Sequence, residues 1–320
     1  MTNRKLVITQ NIDHCLIEKI KSIIPDWELV IGKEKSIWSK HLLEAEVIVS
    51  WKKEMREMIS SDQSKLRWLQ AWSAGVNSLP LQELEAKNIH TTSANGLHAY
   101  PISETIFALM LGLTRKIHTY VRNQQTKTWN HAGINLEIHG KMIAILGIGA
   151  IGKETAKIAK AFGMNVIGFR HSGKPEEYVD AMYTLKHLNE KLPQCDYVVV
   201  TLPYTKETHH LFGFEQFKLM KPSSFFINIG RGNIVIEKEL IKALQVGEIA
   251  GAGLDVFEKE PLDETSPLWD LDNVIITPHT SGSTEHYTNR VIEDIFIPNL
   301  KRYIKEESPV INLVDYKKGY

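Results

Sequence analysis

Apolar positions follow two alternating patterns along this 320-residue chain. Short apolar runs at 5–9 (KLVIT), 27–32 (WELVIG), 45–51 (AEVIVSW), 66–73 (LRWLQAWS) and 89–94 (IHTTSA) predict strands. Between them, 14–24 (HCLIEKIKSII) and 79–88 (LPLQELEAKN) space their apolar residues as helices do. Such alternation predicts a parallel sheet covered by helices. A long helix is expected over 101–125, with Pro101 in its first turn and Ile102, Ile106, Leu109 and Leu113 on one stripe. A second alternating series then has strands at 141–146, 165–169, 196–203, 223–230, 249–257 and 273–278. Residues 283–307 are again helical in pattern and could bring the chain back to its first domain. The expected organisation is a discontinuous domain, 1–100 plus 285–320, with a second domain inserted at 101–284.

Composition narrows the picture mainly by exclusion. Lys plus Arg and Asp plus Glu both total 38, so no global basic field would steer the protein to nucleic acid or a membrane surface. No apolar stretch reaches the ~18 residues that suggest a membrane span. Residues 1–10 enter a strand pattern with no signal-peptide character, and the cytoplasm is the expected location. Cys15 and Cys195 have no metal-ligand spacing, and no metal site is expected. Cys195 precedes an apolar strand and reads as an inert buried or half-buried thiol. Lys317 and Lys318 read as a solvated tail.

The glycine-rich stretch LGIGAIG (146–152) matters because of where it lies. Gly147, Gly149 and Gly152 directly follow one predicted strand and open the helix at 153–163, with a further strand at 165–169. The three glycines suit a tight turn, close backbone approach to a pyrophosphate and close helix–strand packing. Backbone N–H groups at the helix start would meet the phosphates, which makes Ile148, Ala150 and Ile151 candidate contacts as well. An NAD site usually has an acid at the end of the next strand, to bind the ribose 2′-hydroxyl. Here Arg170, His171 and Ser172 stand there, followed by Lys174. A guanidinium pairs with a 2′-phosphate where a carboxylate would repel it, so NADP(H) is the expected preference, with NAD(H) possible. An exposed turn with incidental charges is the alternative.

Three later strands each run into a polar residue: Arg231 after 223–230, Glu260 after 249–257 and His279 after 273–278. Ligands of open α/β sheets bind outside the carboxyl ends of the strands, so these residues can converge. A cation, a carboxylate and an imidazole can together hold an anionic substrate and move a proton. Singly, each has a plainer reading: a surface ion pair for Arg231, a turn before Pro261 for Glu260, a satisfied side chain for His279. His209 and His210 read as surface residues.

INIGRG, GAGLDVFEKEP and TPHTSG resemble the signature segments of the NAD(P)-dependent D-2-hydroxyacid dehydrogenases, glyoxylate/hydroxypyruvate reductase-like members included. The resemblance extends over essentially the whole chain, including SAGVNSL (73–79) and TLPYTKETHHLF (201–212). It implies an α/β fold of two doubly wound parallel-sheet domains, a Rossmann cofactor domain inserted in a flavodoxin-like substrate domain. It implies that His279 gives a proton to the carbonyl oxygen as hydride reaches the carbon, that Glu260 orients His279 and favours its imidazolium form, and that Arg231 holds the substrate. It further implies substrate contacts at Ala74, Gly75 and Val76, with Trp51 able to reach the pocket. Leu202, Pro203 and Thr208 would line the cofactor cleft, and Asp255 and the Ile229 carbonyl would meet the nicotinamide carboxamide. Plainer alternatives are a core tryptophan for Trp51, a turn glycine for Gly75, and a helix cap or structural hydrogen bond for Asp255. Asn77 stands where many relatives carry an acid.

The expected reaction is reversible reduction of a small 2-oxo acid, such as glyoxylate or hydroxypyruvate, to the D-hydroxy acid. A formate dehydrogenase would pair its histidine with glutamine in place of Glu260. A phosphoglycerate dehydrogenase lacking a regulatory domain, and a dinucleotide-sensing corepressor-like binding protein, are the alternatives. The arm at 125–133 carries Trp129 outside any core pattern; the resemblance implies a homodimer formed through this region, and packing within one subunit is the alternative.

Overall fold

The computed structural model of the protein describes residues 4–57, 61–76, 78–131 and 133–316. Asn77, Lys317 and Lys318 lie outside the described residues. Contacts divide the chain into two units, one running to Leu97 and resuming at Thr284, the other spanning His98–Ser283.

In the first unit, β1 (Lys5–Ile8), β2 (Glu28–Ile31), β3 (Val47–Val49), β4 (Trp68–Gln70) and β5 (His90–Thr92) form a parallel sheet in the order β2-β1-β3-β4-β5. Its central strands read as continuous apolar runs because both faces are covered. Val7, Ile48 and Leu69 pack into one cluster, Leu6, Ile8, Val47 and Val49 into another. The helix α1 (His14–Ile23) adds Leu16 and Ile20 to the second cluster. The C-terminal helical segment adds Ile292, Phe296 and Leu300, with Phe296 stacked on Trp68 at 5.1 Å. That segment is not one regular helix: Val291–Phe296 is π-helical before Ile297–Tyr303 resumes as α. Pro298 brings no N–H to the helical ladder at this junction, which favours a local change of hydrogen-bond register.

The second unit begins with α2 (Ala99–Thr114) and α3 (Ile117–Gln125), where a single helix was expected. Lys116 takes a left-handed conformation at φ 53°, and Arg115 and Lys116 close the first helix on Leu111 and Leu113. The Gly112 carbonyl, which a continuing helix would bond to Lys116, is held instead by Nδ1 of His118 at 3.0 Å. Then come β6 (Met142–Leu146), α4 (Ala150–Ala161), β7 (Asn165–Phe169), β8 (Ala181–Tyr183), β9 (Tyr197–Val200), β10 (Phe225–Asn228), α5 (Glu237–Val246), β11 (Gly251–Leu254) and β12 (Val274–Ile276). All seven strands are parallel, in the order β12-β11-β10-β9-β6-β7-β8. β8 was not foreseen; it is three residues long and only half-buried, so it lacks the apolar run that marks its neighbours. The direction of winding reverses between β6 and β9, where doubly wound sheets open a crevice at their carboxyl edge.

Candidate active site

Asn228, Leu254 and Ile276 lie in register across β10, β11 and β12, so these strands end level. Neighbouring strands are ~4.8 Å apart, and chains leaving β10 and β12 therefore emerge about 10 Å from each other. Arg231, Glu260 and His279 lie on the segments that leave this edge.

Asn228, 1% exposed, is a polar residue at the end of an apolar strand, and it shapes the turn that carries Arg231. Its Oδ1 accepts from Gly230 N at 3.1 Å, and its Nδ2 donates to the Arg231 carbonyl at 3.2 Å. The exposed Arg231 donates from Nη1 to the Gly230 carbonyl at 2.7 Å. At Gly232 a Cβ would stand 1.9 Å from the carbonyl carbon of Phe257, so this turn and the chain leaving β11 approach at a distance only glycine allows.

Glu260 and His279 are in direct contact. Glu260 Oε2 lies 2.7 Å from His279 Nδ1, while Oε1 accepts from Phe257 N at 3.1 Å. The histidine is half-exposed, at 49% of its side chain. With Nδ1–H committed to the carboxylate, Nε2 is the nitrogen left to exchange a proton with a ligand. His279 itself has φ 53°, a conformation non-glycine residues seldom adopt. Asp255 underlies that geometry. Fully buried, it accepts from Thr277 Oγ1 (2.6 Å) and Thr280 N (3.0 Å) on Oδ1, and from Ser281 N (3.1 Å) on Oδ2. The loop carrying His279 is thus wrapped around a buried carboxylate. Asp255 thus makes the structural hydrogen bonds given as its alternative reading.

The glycine loop joins β6 to α4. Gly147 has φ 107°, a Cβ on Gly149 would meet nothing within 4 Å, and a Cβ on Gly152 would stand 2.2 Å from the Gly147 carbonyl oxygen. One turn, one open approach and one tight packing contact are what a bound pyrophosphate asks of such a loop. The first turn of α4, with Gly149 as N-cap and Ala150 exposed, supplies N–H groups without intrahelical partners. Thr201, just past β9, braces the loop by donating to the Gly147 carbonyl at 2.7 Å. A dinucleotide fits these residues.

Three residues expected at the cofactor are buried. Ile148 is 4% exposed in an apolar cluster and its N–H donates to Phe169, because the turn folds this side chain under the sheet end. Thr208, 3% exposed, donates to the Pro203 carbonyl at 2.8 Å and accepts from Thr205 N at 2.8 Å, closing its own loop. Leu202, 8% exposed, belongs to the core. Ile151 is half-buried, Ile229 is buried, and Pro203, His171 and Ser172 are exposed. Arg170 follows β7 and is partly buried, with Nη1 3.0 Å from Glu176 Oε2 and Nη2 donating to the Pro175 carbonyl at 3.0 Å. The same Glu176 oxygen lies 2.8 Å from Nζ of Lys153, in the first turn of α4. Hydrogen bonding to Lys153, and then to Arg170, holds the Glu176 carboxyl below its usual range.

In the first unit, Trp51 follows β3, and Ala74, Gly75 and Val76 follow β4, again at a carboxyl edge. A Cβ on the exposed Gly75 would meet nothing within 4 Å, so its backbone is open to close approach. Val76, 1% exposed, is a core residue and can contribute only main-chain atoms. Half-buried Trp51 lines a cavity of ≈ 780 Å³ together with Lys53, Arg56, Leu79 and Glu83. His209 and His210 are exposed, with their rings stacked 3.7 Å apart. Burial pushes the Cys195 thiol up to about 12, where it is inert.

Sequence reasoning missed Asn228, Thr201, Lys153 and Glu176. Asn228 left a signal, a lone amide in FFIN; the others reveal themselves only once the chain is folded. No group of three or more His, Cys, Asp or Glu among the described residues could hold a metal ion, and none of their helices is long and apolar enough to cross a membrane.

The family model for the NAD-binding domain of D-isomer specific 2-hydroxyacid dehydrogenases matches residues 107–281. Glyoxylate/hydroxypyruvate reductase B of Shigella boydii is 36% identical over 295 residues, 90% of this chain and 88% of that protein. A D-isomer specific 2-hydroxyacid dehydrogenase family protein from Aeromonas salmonicida has a similar structure, with a TM-score of 0.83 at 33% identity, over 98% of this chain and 99% of that one. A D-isomer specific 2-hydroxyacid dehydrogenase from Xanthobacter autotrophicus, solved with NADPH and MES, has a TM-score of 0.79 at 27% identity, over 99% and 100%. Strand order, glycine loop and polar strand ends agree with these likenesses: the chain belongs to the D-isomer specific 2-hydroxyacid dehydrogenase family and is an oxidoreductase with a nicotinamide-cofactor domain.

Proposed function

We propose that the protein reduces small 2-oxo acids, glyoxylate and hydroxypyruvate foremost, to the D-2-hydroxy acids, with NADPH as the preferred donor. The observation that carries this reading is the 2.7 Å contact between His279 Nδ1 and Glu260, on the same sheet edge as an exposed arginine. A dinucleotide whose pyrophosphate the glycine loop would hold would supply the hydride from its nicotinamide. His279 Nε2 gives a proton to the carbonyl oxygen, so hydride plus proton convert C=O to CH–OH. His279 Nδ1–H donates to Glu260 throughout, and the carboxylate stabilises the ring while the ring carries the extra proton. Arg231 pairs with the substrate carboxylate and turns the carbonyl carbon toward the hydride. On the first unit, Ala74, Gly75 and Val76 are the candidate main-chain contacts of the substrate, and Trp51 is a candidate pocket residue.

Support for glyoxylate and hydroxypyruvate comes from the Shigella boydii relative. Support for NADPH comes from Arg170 in place of an acid, and from the Xanthobacter autotrophicus structure solved with that cofactor. Trp129 at 95% exposure, with Ile117 and Val121 half-exposed one helical turn apart on α3, supports a homodimer. Two free thiols suit the cytoplasm.

The test is a panel of glyoxylate, hydroxypyruvate, pyruvate and branched 2-oxo acids, each with NADPH and NADH, followed by nicotinamide absorbance. Highest kcat/KM for one of the first two with NADPH is expected. Tight NADPH binding without turnover across the panel would instead indicate a dinucleotide sensor.

A further inference from the structure

We propose that Glu176 is a resident anion at the 2′-phosphate position, which the phosphate must displace, and that it thereby sets how strongly NADP(H) is preferred over NAD(H). The inference rests on reading Arg170 as the ligand of that phosphate. One oxygen of Glu176 bridges two cations, Arg170 at 3.0 Å and Lys153 at 2.8 Å. These come from different elements, the end of β7 and the first turn of α4, so the carboxylate ties those two segments together. The Arg170 fork is also partly taken by the Pro175 carbonyl, through Nη2 at 3.0 Å. Its Nε is buried and, among the described residues, has no hydrogen-bond partner. A buried guanidinium N–H without an acceptor is costly, so the hydrogen bonds of Arg170 are incomplete in this arrangement.

A phosphate monoester brings up to two charges and three acceptor oxygens, against one charge and two oxygens for a carboxylate. It can satisfy Arg170 and Lys153 together only after Glu176 leaves, since the two anions repel and share the same donors. A ribose 2′-hydroxyl makes no such demand, and NAD(H) binds with Glu176 in place. Glu176 thus subtracts from NADP(H) affinity while costing NAD(H) nothing. Its side chain is one-fifth exposed, on the loop between β7 and β8.

The test is calorimetric binding of NADPH, NADH, adenosine 2′,5′-bisphosphate and 5′-AMP to the wild type, Glu176→Gln, Glu176→Ala and Arg170→Ala. Removing the charge at Glu176 is expected to tighten NADPH and adenosine 2′,5′-bisphosphate about fivefold, the scale of one exposed ion pair, and to leave NADH and 5′-AMP within about twofold. Unchanged or weaker binding of both phosphorylated ligands to both Glu176 variants would overturn the proposal and make Glu176 a strut for Arg170. Arg170→Ala separates the two failures. If it weakens NADPH while the Glu176 variants do not tighten it, the Arg170 reading stands and only this inference falls. If Arg170→Ala leaves NADPH unchanged, the Arg170 reading falls as well.

Discussion

His279 holds its left-handed backbone because Asp255 makes it worthwhile. A non-glycine residue at φ near +53° costs on the order of 1 kcal/mol or more, and the three hydrogen bonds accepted by Asp255 from Thr277, Thr280 and Ser281 offset it. Asp255→Asn turns one acceptor into a donor facing backbone N–H groups. We expect kcat to fall at least tenfold and the melting temperature to drop by several degrees; wild-type values for both would show that the loop does not depend on this carboxylate. His279→Ala removes the proton donor itself, and kcat for 2-oxo acid reduction should fall about 10²–10⁴-fold, with NADPH binding by calorimetry unchanged. Arg231→Lys keeps a charge but loses the planar fork, so KM for the 2-oxo acid should rise at least tenfold in steady-state assays while NADPH binding holds.

At the scale of elements, the turn after β10 and the segment after β11 are fitted against each other at Gly232. Gly232→Ala places a methyl inside the Phe257 carbonyl group, and both segments must shift. The expected loss is about 1–3 kcal/mol, seen as a fall in melting temperature and in kcat together, since Arg231 and Glu260 lie on those segments. On β5, burial holds the His90 imidazole below its usual range. The unfolded chain therefore binds this proton more readily than the folded one. Stability should fall as pH drops below ~6.5, the unfolded value, and go on falling to the lower folded value. Urea midpoints near neutral and mildly acid pH, with His90→Gln losing part of the difference, would check the sign. Element boundaries were only partly legible in the chain. The strands announced themselves as apolar runs, but the break at Lys116 depends on His118 reaching back to Gly112, a side-chain contact no periodicity contains.

For the whole molecule, the exposed apolar residues around α3 and the 125–133 arm are the place to test assembly. A Val121→Glu, Trp129→Ser double variant should sediment as a monomer at micromolar concentration where the wild type sediments as a dimer. A monomeric wild type would remove the homodimer from the functional reading. Alternation of strand and helix made two parallel sheets legible, because such connections are nearly always right-handed crossovers that cover both faces. The order of the strands was not legible in that alternation. It places β6 beside β9, leaves Thr201 against the glycine loop, and sets β10, β11 and β12 level at their ends.

By itself the sequence determined the chemical groups, since a residue type carries its charge, its proton and its hydrogen-bonding capacity wherever it lies. It also determined which segments become strands, because burial on both faces demands continuous apolar runs. Only the tertiary structure decided which groups meet. Glu260 finds His279 across 19 positions, Asp255 gathers the histidine loop through three hydrogen bonds, and Glu176 reaches Lys153 and Arg170 at once. Hydrogen bonds and ion pairs act within about 3–4 Å, and that distance is set by how sheets and loops pack, not by separation along the chain.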